Sequence, residues 1–243
     1  MSTSETSTPR GSSLANAVDI VIAPSAAFQR IREAPAWGWV FLVASVLGIV
    51  GFLLAEPAAM HAFDTSGPAQ FAPQLAKIPP EKQADALAKM MSIGRIVIYV
   101  QWLFFPIGLL IGALISAVVM LIANAISKGD GTFKRFFALA VTTSVITALG
   151  AVLNGAITLV RGASSFDTPQ AVQTSLPGLA LLAPAAGTKL QTFLGVMNVA
   201  SIWVTVLTAL GMIAVGHVKP PIAWTFAILS LLISAGLAAA FVP

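Results

Sequence analysis

Charge is scarce in this sequence. Asp, Glu, Lys and Arg make up 9% of its 243 residues, where a water-soluble domain carries about a quarter. So few hydrated side chains cannot coat a 25.1 kDa globule, which excludes an ordinary soluble enzyme and a disordered chain alike. Cysteine is absent, and with it any disulfide framework, thiolate metal site or cysteine nucleophile. Histidine occurs only at His61 and His217. No His-Glu-x-x-His pair and no Gly-x-x-x-x-Gly-Lys phosphate loop is found, so neither a metal nor a cofactor is expected. The net charge of +4 rests on 13 Lys and Arg scattered singly or in twos. No run could track a phosphate backbone, so nucleic acid is not expected as a partner.

What the chain has in excess is apolar length: 57% of its residues are hydrophobic and its mean hydropathy is +0.90. The charges divide this material sharply. Long uncharged stretches lie between Glu33 and Glu56, Arg95 and Lys128, Arg135 and Arg161, Lys189 and Lys219, and from Pro221 to the C-terminus. A helix needs about 20 apolar residues to cross a hydrocarbon core of ~30 Å. The reading is an all-α bundle of five transmembrane helices, spanning about 37–55, 96–127, 136–160, 190–216 and 221–243. These runs are apolar all round, unlike soluble amphipathic helices, and lack the strict alternation of a β-barrel. The partner they imply is the lipid bilayer, and the location a cell (inner) membrane.

With five spans the termini lie on opposite sides. Arg30, Arg32, Lys128, Lys134, Arg135 and Lys219 cluster in the short segments of one side. The cations of the loops 56–95 and 161–189 are diluted by acids and length. Cation density therefore places the N-terminus in the cytoplasm and the C-terminus outside.

Residues 1–13, rich in Ser and Thr, read as a disordered tail. Residues 14–36 read as an interfacial amphipathic segment, with Ala27, Phe28 and Ile31 on one face, laid on the inner leaflet or packed on the bundle. Pro57, Pro68, Pro73, Pro79 and Pro80 make the start of the first external loop irregular, with helix from Glu81 to about Ser92. Leu176 to Pro184 reads as a short apolar lid or an interfacial dip. The second span is too long for the bilayer, so it tilts, protrudes or bends at Pro106. Lys128 to Thr132 reads as a tight turn, its glycines supplying positive φ.

Within the spans, small residues recur every four positions. Gly108, Gly112 and Ser116 form one stripe, and Thr143 and Thr147 begin another. Such stripes let helices approach closely where there is no water to expel, making these five residues candidates for packing inside the chain or in a homo-oligomer. No ionisable residue lies within a span core. Intramembrane polar groups mark transport or catalysis, and the two deep ones are Gln101 and Asn198, whose commoner use is interhelical hydrogen bonding. No catalytic constellation emerges.

The segment from Asp19 through Pro24, Phe28, Ile31 and Pro35 to Trp37 resembles the entry to bacterial proteins of the Yip (Ypt/Rab-interacting protein) domain family. So do the turn Gly129-Asp-Gly131-Thr-Phe133-Lys-Arg-Phe136 and Trp203, Gly211, Lys219 and Ala223 further on. The resemblance covers roughly residues 15 to 240. It implies a five-helix integral membrane domain with a cytoplasmic N-terminus. Eukaryotic relatives bind Rab-type GTPases through a longer N-terminal region bearing an Asp-Leu-x-Gly-Pro element. Only Asp19 and Pro24 correspond here, without the Gly or the spacing, so that role is not carried over.

Two functional expectations result. The first is a non-enzymatic membrane protein acting through lipid contact, a membrane-protein partner or its own oligomer. The second is a carrier or channel for a neutral or lipidic substrate, lined by Gln101, Asn198 and the threonines of the third span. They differ in whether a polar cavity lies beside Gln101 and Asn198.

Overall fold

The computed structural model describes residues 12–184 and 186–242. The expected tail lies outside the described residues up to residue 11, while Ser12 and Ser13 already belong to the first helix. Nine α-helices follow in chain order among the described residues: α1 (Ser12–Ile22), α2 (Pro24–Glu33), α3 (Gly38–Leu75), α4 (Pro80–Ser127), α5 (Phe133–Arg161), α6 (Pro169–Gln173), α7 (Thr188–Val196), α8 (Val199–Gly216) and α9 (Pro220–Ala240). Five of them, α3, α4, α5, α8 and α9, are long and apolar enough to cross a membrane. At the centre stands α5, with 61% of its most apolar window buried, against 17% for α4 and for α9.

The two ends of the bundle are built differently. At the end we call proximal, the turns after α4 and α8 meet the starts of α3 and α5. Asp130 N donates to Gly216 O at 3.0 Å and Lys219 N to Ser127 Oγ at 2.6 Å. Buried Asn124 ties the first of these turns: its Oδ1 accepts from Gly131 N at 3.1 Å, and its Nδ2 donates to Gly129 O and Gly131 O, both at 3.3 Å. Positive φ is carried by Lys128 (57°) and His217 (50°), not by the glycines. Gly129 and Gly131 are needed for space instead, since a Cβ there would strike Asn124, Gly216 or the Phe136 ring.

Several expectations are corrected here. The Pro-rich stretch from Glu56 is not irregular, because α3 runs through Pro57, Pro68 and Pro73 to Leu75. All three prolines and the residues four before them, Leu53, Asp64 and Ala69, are exposed. The carbonyls freed by the missing N–H groups thus lie on the outer side of the helix, where solvent or headgroups can satisfy them. α4 likewise continues as one helix from Pro80 through Pro106. At ~1.5 Å per residue both outlast the bilayer, and α3 and α4 leave its distal side as a helical hairpin. The expected fourth span 190–216 is broken at Met197 and Asn198 into α7 and α8. Of the two readings of the α2 face, the structure takes the second: Ala27, Phe28 and Ile31 are buried at 0–4% exposure in the main core, so that face packs on the bundle rather than on lipid.

A close helix approach joins α3 to α5, where a Cβ on Gly51 would lie 2.5 Å from the Ala151 backbone and one on Gly155 2.6 Å from Gly51 O. Its α5 side, Ala151 and Gly155, continues the stripe that Thr143 and Thr147 begin, while its α3 side is not among the expected stripes.

Candidate functional site

Distal to the proximal end lies a chamber of about 610 Å³ between α3, α4, α5 and α8. Both deep polar residues singled out in the sequence, Gln101 and Asn198, line it, with Thr147, Asn154, Gln173 and Ser201. The walls between them are apolar, among them Phe52, Phe63 and Ile98, and no charged side chain takes part.

These polar groups are not equally free. Asn198 is the N-cap of α8: its Oδ1 accepts from Ala200 N and Ser201 N, both at 3.1 Å, and its Nδ2 donates to Gly195 O at 3.2 Å. It therefore closes a helix end rather than lying a turn or two inside a continuous span. Asn154 Oδ1 accepts from the Ser175 hydroxyl. Gln101 and Gln173, by contrast, face the chamber without a hydrogen bond to another described residue. A half-buried amide such as that of Gln101, beside apolar walls, is an adaptable donor and acceptor for an uncharged group.

Pro169, Val172 and Leu176 from the α5–α7 connection form part of the chamber wall, and that connection is stitched to the helix break. Leu179 N donates to Met197 O at 3.1 Å and Val199 N to Pro177 O at 3.0 Å. Within the apolar stretch from Leu176, Leu176 and Ala180 are buried, and Leu181 and Leu182 project outward. Two charge contacts surround it, His61 Nε2 to Asp167 Oδ1 at 3.4 Å and Arg95 Nε to Asp64 Oδ1 at 2.9 Å.

A second void of about 360 Å³ lies between α4, α5 and α8, and it brings together all five small-residue candidates: Gly108, Gly112, Ser116, Thr143 and Thr147. The structure gives Gly108 and Gly112 no neighbour within 4 Å of a Cβ. They do not draw α4 against another helix of this chain; they leave a groove. Gly108, Gly112 and Ser116 are exposed, so the groove opens on the outer, lipid-facing side of α4. Thr147 belongs to the chamber, to the groove and to a third void of about 240 Å³ that reaches Ser230 and Ser234 of α9. That is why it is exposed midway along the most enclosed helix.

Depth follows from helix rise. Gly112 and Thr147 stand ~20 Å above the proximal ends of their helices, and Asn154 and Asn198 ~30 Å. In a hydrocarbon core of ~30 Å the groove therefore lies among acyl chains and the chamber at the distal headgroup level. Much of the proximal half is tightly packed, with Phe136, Leu139, Val141, Leu207, Met212 and Val215 all buried to 1% exposure or less, although the third void reaches into it at Met212.

The membrane protein YknW of Bacillus subtilis (strain 168) is 26% identical over 220 residues, covering 86% of this chain and 82% of its own. No solved structure matches the chain significantly. A family profile described as the Yip1 domain matches residues 18–242, nearly everything between the tail and the last residue, and the chain belongs to that family.

Proposed function

We propose that this membrane protein acts without chemistry of its own, by holding one uncharged amphiphile from the distal leaflet. The head sits in the chamber against Gln101, and the tail runs down the groove past Thr147 and Gly112. The observation that carries this reading is that a charge-free, amide-lined chamber and a groove on the outer side of α4 share Thr147 as a wall residue. Absence of charge disfavours an ionic head, whose burial would need a counter-charge, while a hydroxyl, ester or amide head meets the Gln101 side chain well. No ionisable group lines either void, which supports a binding role over catalysis or proton-coupled transport. The packed proximal half supports holding over conduction. A carrier that releases its lipid to the other leaflet remains the second reading, favoured by the same chamber. Cation density supports a cytoplasmic proximal end in an inner membrane.

The test is extraction of the full chain in native membrane patches, with bound lipid identified by mass spectrometry against the bulk membrane. The wild type is expected to enrich a neutral lipid about fivefold or more, and Gln101→Leu to lose most of that enrichment. Bulk lipid composition in the wild-type patches would overturn the proposal. In vesicles, lipid scrambling by the wild type would move the assignment from holding to carriage.

A further inference from the structure

Away from these voids, one element is sealed on one side and bare on the other. Ser13, Asn16, Ala17 and Ile20 of α1 are buried at 0–6% exposure where it packs on α2, α3 and α5. On its opposite face Leu14, Val18, Val21 and Ile22 are exposed at 49, 55, 41 and 73%. Their spacing of four, three and one is a single helical stripe. A face turned to water would carry charge, and this one has none.

The stripe cannot be turned inward. The one charged residue of α1, Asp19, is ion-paired with Arg30 of α2, and Arg30 Nε donates to Asn16 Oδ1 at 2.9 Å. These contacts fix the rotation of α1, and α2 is anchored in turn by buried Ala27, Phe28 and Ile31. The surroundings identify what covers the stripe. α1 packs beside the first turns of α3, whose outward row Trp39, Leu42 and Val46 is 57, 48 and 52% exposed and begins the lipid-facing surface of the bundle. At the same end stand Lys128, Lys134 and Lys219, all exposed, a charge pattern that suits anionic headgroups.

From this we infer that α1 lies in the bilayer–water interface of the proximal leaflet, with Leu14, Val18, Val21 and Ile22 among its acyl chains. The N-terminal hairpin is then a lipid-contact surface of its own, independent of the distal chamber. Its apolar contact comes from α1, not from the α2 face that the sequence pattern favours.

The cysteine-free chain permits a direct test. Single variants Val18→Cys and Val21→Cys carry an environment-sensitive fluorophore in vesicles of phosphatidylcholine and phosphatidylglycerol, 3:1. Ile115→Cys, 60% exposed within α4, serves as the deep control, and Gln70→Cys, exposed on the distal hairpin, as the aqueous one. The stripe labels should be quenched severalfold more by nitroxides near the headgroup than by iodide in water. Ile115→Cys should respond to deep nitroxides and Gln70→Cys to iodide. Stripe labels that follow Gln70→Cys would overturn the inference. So would protection from both quenchers with Val18→Cys disulfides between copies, which would make the stripe a contact between chains.

Discussion

The packed seams of the bundle and the groove on α4 use the same small residues to opposite ends. In the proximal half glycine brings surfaces into contact: a Cβ on Gly211 would lie 2.5 Å from the Leu139 side chain, and one on Gly216 the same distance from the Phe136 ring. In the groove, Gly108 and Gly112 face open space. Polar side chains divide in the same way. Asn124 spends its whole amide on backbone groups of one turn, whereas Gln101 faces the chamber. A small residue in a membrane helix is therefore not in itself a contact; what matters is whether another backbone comes to meet it.

The strongest way to break this contrast is a matched pair of glycine substitutions. Gly51→Leu drives a side chain into the Ala151 and Val152 backbone, which cannot swing aside as a rotamer can. It should cost ~3 kcal/mol or more, the upper part of the overpacking range. At Gly112 an added Cβ meets nothing within 4 Å, so Gly112→Leu should destabilise by no more than ~0.5 kcal/mol, while filling the groove and lowering lipid enrichment. Detergent unfolding curves measure the first quantity and lipid analysis the second. Equal destabilisation by both would show that the groove is a packing seam after all.

A smaller effect separates the two halves by their asparagines. Asn124→Ala strands the Gly129 and Gly131 backbone groups that it ties in a half-buried turn, a loss of ~2 kcal/mol. Asn154→Ala removes the partner of one partly buried Ser175 hydroxyl and should cost ~1 kcal/mol or less. Unfolding midpoints of the two variants in the same detergent order them. A larger loss at Asn154 would place the critical polar contact in the distal half.

Much of this organisation was legible in the sequence, and the parts that were not have physical reasons. Five spans follow from where charge is excluded, because that cost applies along the whole width of the bilayer. The break before Val199 left a signal, Asn198 ahead of an apolar run in the manner of an N-cap, but the absence of charge on both sides concealed it. The α3 seam was written as Ala44, Gly48, Gly51, Ala55, Ala58 and Ala62, a repeat of alternating fours and threes that a search for fours alone passes over. Gln101 and the five small residues stood out by type. Whether their surfaces meet or stay apart depends on how four helices are arranged, and no local pattern encodes that.

The smallest effect tests the proximal turns themselves. Lys128 and His217 both end helices in the left-handed region, where an L-residue pays ~1–2 kcal/mol relative to a right-handed conformation and glycine is the usual occupant. Lys128→Gly relieves that strain. It also removes a cation from the end of α4, where the helix dipole favours positive charge by ~0.3–1 kcal/mol. The net expectation is a gain of ~0.5 kcal/mol in the unfolding midpoint measured in neutral detergent. In anionic lipid the lost headgroup attraction, ~1 kcal/mol per cation, opposes the gain. The variant should therefore be more stable than the wild type in neutral detergent and no more stable in anionic bilayers. A gain of equal size in both would mean that Lys128 does not meet the headgroups, and that the proximal end is held by its stitched turns alone.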